Sequence, residues 1–384
     1  MNSNQIPEEF KDIRPYTPDE LPRVFDELLH DPQFLPILDH VMPDVPRPYL
    51  VQQLAHCTTS LDVQKMFFYP LVRRIIDECS DGAELSVPED FDRQQPHTFI
   101  TNHRDIVLDS ALLSYMLVAN GFPTTTEIAI GDNLLIYPWI KKLVRINKSF
   151  IVQRSLPMRE LLRASQVMSR YMHFVISEKR DNIWIAQREG RAKDSDDRTQ
   201  DSILKMMAMG GEGSIVERLR SLNITPMALS YEYDPCDFLK AQEFQQKRDI
   251  EGFRKSPDDD LRNMQTGIFG RKGRIHFQAA PCINAWLDTI PADTPKTEIF
   301  HLIAQHIDAE IFRSYRLFPG NYVAADELAA APAHADHYTS AEREAFLEYV
   351  DARVAKVELA QPDKAYLRER ILTMYANPVL NSSR

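Results

Sequence analysis

Cysteine is scarce in this 384-residue sequence: the four present, Cys57, Cys79, Cys236 and Cys282, lie far apart, with no C-x-x-C pair and no histidine cluster at metal-ligand spacing. A disulfide-stapled scaffold is excluded, no metal is called for, and reduced thiols fit a cytoplasmic setting. Long apolar runs are lacking too. No stretch reaches the roughly 18 uninterrupted apolar residues that a spanning helix needs, and the best candidate, residues 106–122, is broken by Asp109, Ser110, Ser114 and Asn120. The opening stretch, MNSNQIPEEFKDIRPYTPDE, is acidic and polar where a secretory signal carries a basic patch and an apolar run, so no export is expected. Positive charge is in deficit overall: 45 Lys and Arg against 56 Asp and Glu leave a formal charge of −11. That balance argues against nucleic acid as a general partner, because phosphate backbones are bound through clustered cations.

What is present is enough apolar material, 43% of residues, to fill the core of one large domain or of a core domain with helical additions. The acidic average hides a basic middle: between Lys141 and Lys193 stand thirteen Lys and Arg against only Glu160, Glu178, Asp181 and Glu189. The first 95 residues carry helical spacing, as at Leu21, Val24, Phe25, Leu28 and Leu29, with prolines at the joints. From residue 96 to 290 short β-prone runs (HTFIT, TTEIAI, SFIV, NIWIA, ITPMALSYEY, GRIHFQA) alternate with helical segments at 105–120, 134–145 and 156–177, the mark of an α/β domain. Residues 291–384 return to helices, at 296–315, 340–357 and 363–375, with the Ala-rich, proline-interrupted stretch 326–336 as the linker candidate.

Chemistry concentrates in TNHRDIVLDS, residues 101–110, where a strand hands over to a helix. His103 falls in the turn, Asp105 at the helix N-cap, and polar groups at strand ends are where α/β folds build active sites. A histidine there can take a proton from a substrate hydroxyl while a carboxylate such as Asp109 holds its other ring nitrogen. The plain alternative is a helix-entry histidine with Asp109 merely favouring the positive helix end. The letters His-Arg-Asp also occur in kinase catalytic loops, but no D-F-G follows, no G-x-G-x-x-G precedes, and Ser110 stands where a metal-binding Asn is needed.

Four blocks in order carry a resemblance to the glycerolipid acyltransferases, over about residues 96–282. Asn102-His103 with Asp109 is similar to the family's H-x-x-x-x-D dyad; KSFIVQR, ending at Arg154, resembles its strand ending in Phe-Ile and an Arg. IWIAQREGR, with Glu189, Gly190 and Arg191, resembles its strand followed by Glu-Gly, and Ile224-Thr-Pro226 its apolar strand containing a proline. The resemblance implies a mixed sheet flanked by helices, His103 as base, Asp109 as its orienter, Arg154 and Arg191 as anion contacts, and Glu189 and Gly190 shaping the acceptor site. Phe150 of the second block joins the substrate contacts, and Arg104, beside the base, reads as a further anion contact or simply as a surface charge. One departure stands out: five residues separate His103 from Asp109 where the family has four, and Asp105 competes for the orienting role.

The activity so implied moves a fatty acyl group from a thioester of coenzyme A or acyl carrier protein to a hydroxyl of glycerol-3-phosphate or a lysophospholipid, with no further cofactor. A carboxylate-bearing, amino-acid-containing lyso-lipid suits the same two arginines, and a non-catalytic lipid-binding scaffold is the reading from another class. The expected setting is the inner face of the cell membrane. Residues 134–145, with Trp139, Ile140 and Leu143 among cations, read either as an interfacial element on that membrane surface or as a core-packed helix with lysines outside.

Overall fold

The computed structural model describes residues 1, 5–42, 45–330 and 332–383. Seven strands form one mixed sheet: β1 (Ala83–Ser86), β2 (Thr98–Thr101), β3 (Thr126–Gly131), β4 (Ser149–Val152), β5 (Asn182–Ala186), β6 (Ile224–Tyr231) and β7 (Ile275–Ala279), in the order β1-β7-β6-β2-β5-β3-β4. Five of them, β6, β2, β5, β3 and β4, run parallel, while β7 is antiparallel to β6 and β1 is parallel to β7. The fold is thus the expected mixed sheet flanked by helices, with further helices beyond the sheet. Strand β1 corrects one expectation, since it joins the sheet from within the first 95 residues, which the periodicity assigns wholly to helix.

Both faces of the central strands are buried, so they read as near-continuous apolar runs. Alternation still decides the partners. On one face Ile100, Ile183, Ile185, Phe150 and Ile224 pack against the helices Met158–Phe174, Asp201–Met207 and Lys296–Arg313. On the other, Phe99, Trp184, Met227 and Phe277 meet Leu108, Leu112, Leu113 and Leu117 of the helix Leu108–Ala119 and Val72 and Ile75 of Tyr69–Cys79. Each such fully buried side chain contributes about 1.5–3 kcal/mol, which fixes the sheet firmly beneath whatever its edge carries.

A third apolar cluster joins Phe238 and Leu239 to Val323, Phe346, Val350, Leu367, Ile371 and Tyr375, so the C-terminal helices close on the helix Asp237–Asp249. A fourth, with Leu21, Val24, Leu28 and Phe34, receives Trp139 and Leu143. The apolar face of the helix Pro138–Ile146 is therefore spent on packing, with Trp139 5.7 Å from Phe34. The stretch 326–336 is no open linker either: the helix Pro319–Ala329 runs into it, and buried Asp326 accepts from the His334 amide and, at 2.7 Å, from the Tyr338 hydroxyl. Among the described residues no helix is long and apolar enough to cross a membrane.

Candidate active site

Because β6, β2, β5, β3 and β4 are parallel, their C-terminal ends share one edge, and the turn after β2, the middle strand of the sheet, opens there. Asn102 starts the turn as a counterfeit of the ladder: its side-chain amide donates to the Leu229 carbonyl (2.9 Å) and accepts from the Leu229 amide (2.7 Å). The chain leaves β2 pinned to β6. His103 follows, its ring edge-on to Trp184 of β5 with centroids 5.6 Å apart.

His103 Nδ1 lies 2.7 Å from Asp109 Oδ2, with 13% and 1% of the two side chains exposed. The helix begins at Leu108, not at Asp105, so Asp109 sits in its first turn, where the helix end favours negative charge. Asp109 Oδ2 also accepts the Arg104 amide (2.7 Å) and the Asp105 amide (3.1 Å), and Oδ1 accepts the Tyr231 hydroxyl (2.9 Å). Four donors thus hold one carboxylate, and the extra residue of the turn is absorbed by curling two successive backbone N–H groups around it. A carboxylate so placed keeps Nδ1 protonated and leaves Nε2 with the free lone pair.

Asp105 takes a different task. Its Oδ1 accepts the Val107 and Leu108 amides, both at 2.8 Å, capping the helix. Burial, and then the charge of Asp109, raises its pKa. Gly267 of the helix Pro257–Phe269 packs onto Asp105 so closely that a Cβ there would stand 1.9 Å from Oδ2.

The remaining expected residues divide. Glu189, Gly190 and Arg191 leave β5, the direct neighbour of β2, at the same edge. Gly190 turns with φ +69°, a conformation that disfavours other residues although a Cβ would have open space. Arg191 Nη2 donates to Asn263 Oδ1 (3.2 Å), its Nη1 is buried with no hydrogen-bond partner among the described residues, and its charge is felt by Asp105 and Asp234. Arg154 leaves β4, three strands from β2 and so about 14 Å away, with β3 standing between it and β5, the strand that Arg191 follows. Its Nη1 reaches the exposed Glu189 carboxylate at 3.4 Å.

Two expectations fail on burial. The Arg104 guanidinium is buried and paired with Asp197, Nη1 donating to Oδ1 at 3.0 Å and Nη2 lying 2.7 Å from Oδ2, and Tyr315 bonds the same carboxylate at 2.6 Å, so its charge is answered inside the protein. Phe150 is wholly buried beneath β4 against Tyr171, with centroids 5.5 Å apart; it is core. Conversely, Asn102 as a strand clamp, Tyr231, Trp184 and Lys240, whose buried ammonium donates to the Arg104 carbonyl (3.1 Å), belong to the site but carry no local sequence signature.

Residues 83–230 match the family model described as Acyltransferase. Among solved structures the chain is similar to the 1-acyl-sn-glycerophosphate (LPA) acyltransferase, PlsC, from Thermotoga maritima, at 9% identity and a TM-score of 0.35, over 71% of this chain and 86% of that one. No curated protein matches.

Proposed function

We propose, from the match of residues 83–230 to the Acyltransferase family model, that the protein transfers a fatty acyl group from a coenzyme A or acyl carrier protein thioester to a hydroxyl of glycerol-3-phosphate or a lysophospholipid. The observation that carries the reading is the 2.7 Å contact of His103 with Asp109 at the mouth of the parallel strands, inside the matched residues. A thioester is already activated, so the site needs a base and a fixed geometry rather than a covalent nucleophile. His103 Nε2 takes the acceptor's hydroxyl proton as its oxygen attacks the thioester carbonyl, and the imidazolium, held by Asp109, returns the proton to the leaving thiolate. Arg191, which follows β5 beside the His103 turn, is the first anion contact once its buried Nη1 turns to the ligand, and Arg154 is a second after it releases Glu189.

The reading extends to a membrane surface on the inner face of the cell membrane. Ile136 (43% exposed) and Tyr137 follow β3 a few residues before Lys141, Met158 (85%) and Leu162 stand on the first turns of the helix after β4 with Arg159 and Arg163, and Asp132 ties the two connections together through Ser155. Exposed apolar groups among cations suit an anionic bilayer, and these replace Trp139 and Leu143, which are packed inside. Thiol release from palmitoyl-coenzyme A and palmitoyl carrier protein, measured against glycerol-3-phosphate, 1-acylglycerol-3-phosphate and amino-acid lyso-lipids, tests the function. Wild-type protein inert across every pairing would remove it.

A further inference from the structure

Lys240 lies in the first turn of the helix Asp237–Asp249 and is 1% exposed. An ammonium so buried needs partners on every side to remain charged. Among the described residues it has two: the Asp234 carboxylate and the backbone carbonyl of Arg104. Asp234 is itself fixed, its Oδ1 accepting the Cys236 amide (2.8 Å) and its own amide donating to the Tyr375 hydroxyl (2.9 Å). Tyr375, in the C-terminal helix Lys364–Ser382, donates to Asp237, the residue that opens the Lys240 helix, and Tyr349 and Arg353 bond the same carboxylate.

The carbonyl that Lys240 holds is one half of the peptide unit linking Arg104 to Asp105. Its other half is the Asp105 N–H, which donates to Asp109 Oδ2. A planar trans peptide directs its C=O and N–H to opposite sides, so fixing one fixes the other. We propose that Lys240 is a positioning residue for the dyad: through that single peptide it sets the orientation of the turn that presents Asp109 to His103. It is the device that makes five intervening residues workable, and it gives the C-terminal helices a task, that of bracing the base from behind. The functional consequence rests on the acyltransferase reading; the positioning itself does not.

The test uses the whole 384-residue chain in three forms, wild type, Asp234→Asn and the charge-balanced double variant Asp234→Asn/Lys240→Met, with His103→Ala as the reference for assignment. The readout is the downfield proton resonance of the His103 Nδ1–H bonded to Asp109, assigned by its absence in His103→Ala. Folding is checked by circular dichroism and thermal melting. The double variant is expected to lose or displace this resonance and to lower kcat about tenfold or more, with both Michaelis constants nearly unchanged. Asp234→Asn alone weakens the hold on Lys240 but leaves its nitrogen the hydrogen bond to the Arg104 carbonyl, so its resonance and kcat are expected to stay closer to wild type than those of the double variant. A folded double variant with resonance and kcat intact would overturn the proposal, as would a folded Asp234→Asn protein that loses the resonance completely. Because the resonance is read on resting protein, it judges the positioning even where no acceptor is turned over and the functional reading fails.

Discussion

Replacing Asp109 by Asn isolates what its charge does, because the structure gives the amide a way to keep the geometry. The Asn oxygen can take the place of Oδ2, still accepting from His103 Nδ1 and the Arg104 and Asp105 amides, while its NH2 group faces the Tyr231 hydroxyl, which rotates to accept. What disappears is the attraction between a carboxylate and the imidazolium formed as the hydroxyl proton is taken. With charge centres ~4 Å apart and an effective dielectric of ~20, suitable for a site that His103 leaves partly open, that attraction is about 4 kcal/mol. At 1.4 kcal/mol per decade, kcat falls roughly a thousandfold. The assay is steady-state thiol release with both substrates varied, alongside thermal melting. The Michaelis constants should move little, since the lost interaction is made mainly in the transition state. A folded Asp109→Asn variant retaining more than about a third of wild-type kcat would refute the assignment of Asp109 as the group that stabilises His103.

Three further outcomes are expected. Arg191→Ala should raise the acceptor's Michaelis constant about 10- to 100-fold, the worth of one charged hydrogen-bonded contact, while that of the thioester stays put; an unchanged acceptor constant would contradict its role. Purified protein should float with vesicles containing anionic lipid and release them in high salt, with Met158→Glu/Leu162→Glu abolishing flotation; indifference to anionic vesicles would end the peripheral-membrane proposal. Burial raises the Asp308 carboxyl to about 6 against an ordinary 3.8, although Thr199 bonds it. Between those values the folded state holds the proton that the unfolded state has released, so stability falls as pH rises from 4 to 6 and stays lower above. Asp308→Asn should therefore stabilise the protein at pH 7, by no more than about 3 kcal/mol, and not at pH 4, as read by urea melts; equal effects at both pH values would deny the shift.

Much of the architecture was open to periodicity. The runs SFIV and NIWIA are β4 and β5 to the residue, and Lys296 and Ser340 open helices where expected, because apolar spacing and the Thr339 capping box speak locally. β1 escaped because AELS is four residues with exposed alternate positions at the sheet's margin, too short to register a period. The helix Asp237–Asp249 escaped because it buries Asp237, Lys240, Glu243 and Gln245 alongside Phe238, Leu239 and Ala241, so no apolar stripe of helical period shows in its sequence.

The site divides along the same line. His103 and Asp109 are close in sequence, and a turn brings such neighbours together almost regardless of the rest. Arg104 misled because an arginine next to a histidine looks available, and only the fold reveals Asp197, 93 residues on, that claims it. Tyr231 and Lys240 reach the turn from 122 and 136 residues away; pairings of that range are set by strand order and helix docking, which no local pattern encodes. Phe150 misled in the opposite sense, since a motif position supports a site as readily from beneath as by touching a ligand.

The central claim, that the imidazole of His103 removes the acceptor's proton, meets its most direct test in acceptor-dependent thiol release by wild type and His103→Ala, matched for folding by melting temperature. Release that requires both acceptor and His103 is the predicted result. A folded His103→Ala protein transferring acyl groups at the wild-type rate would contradict it.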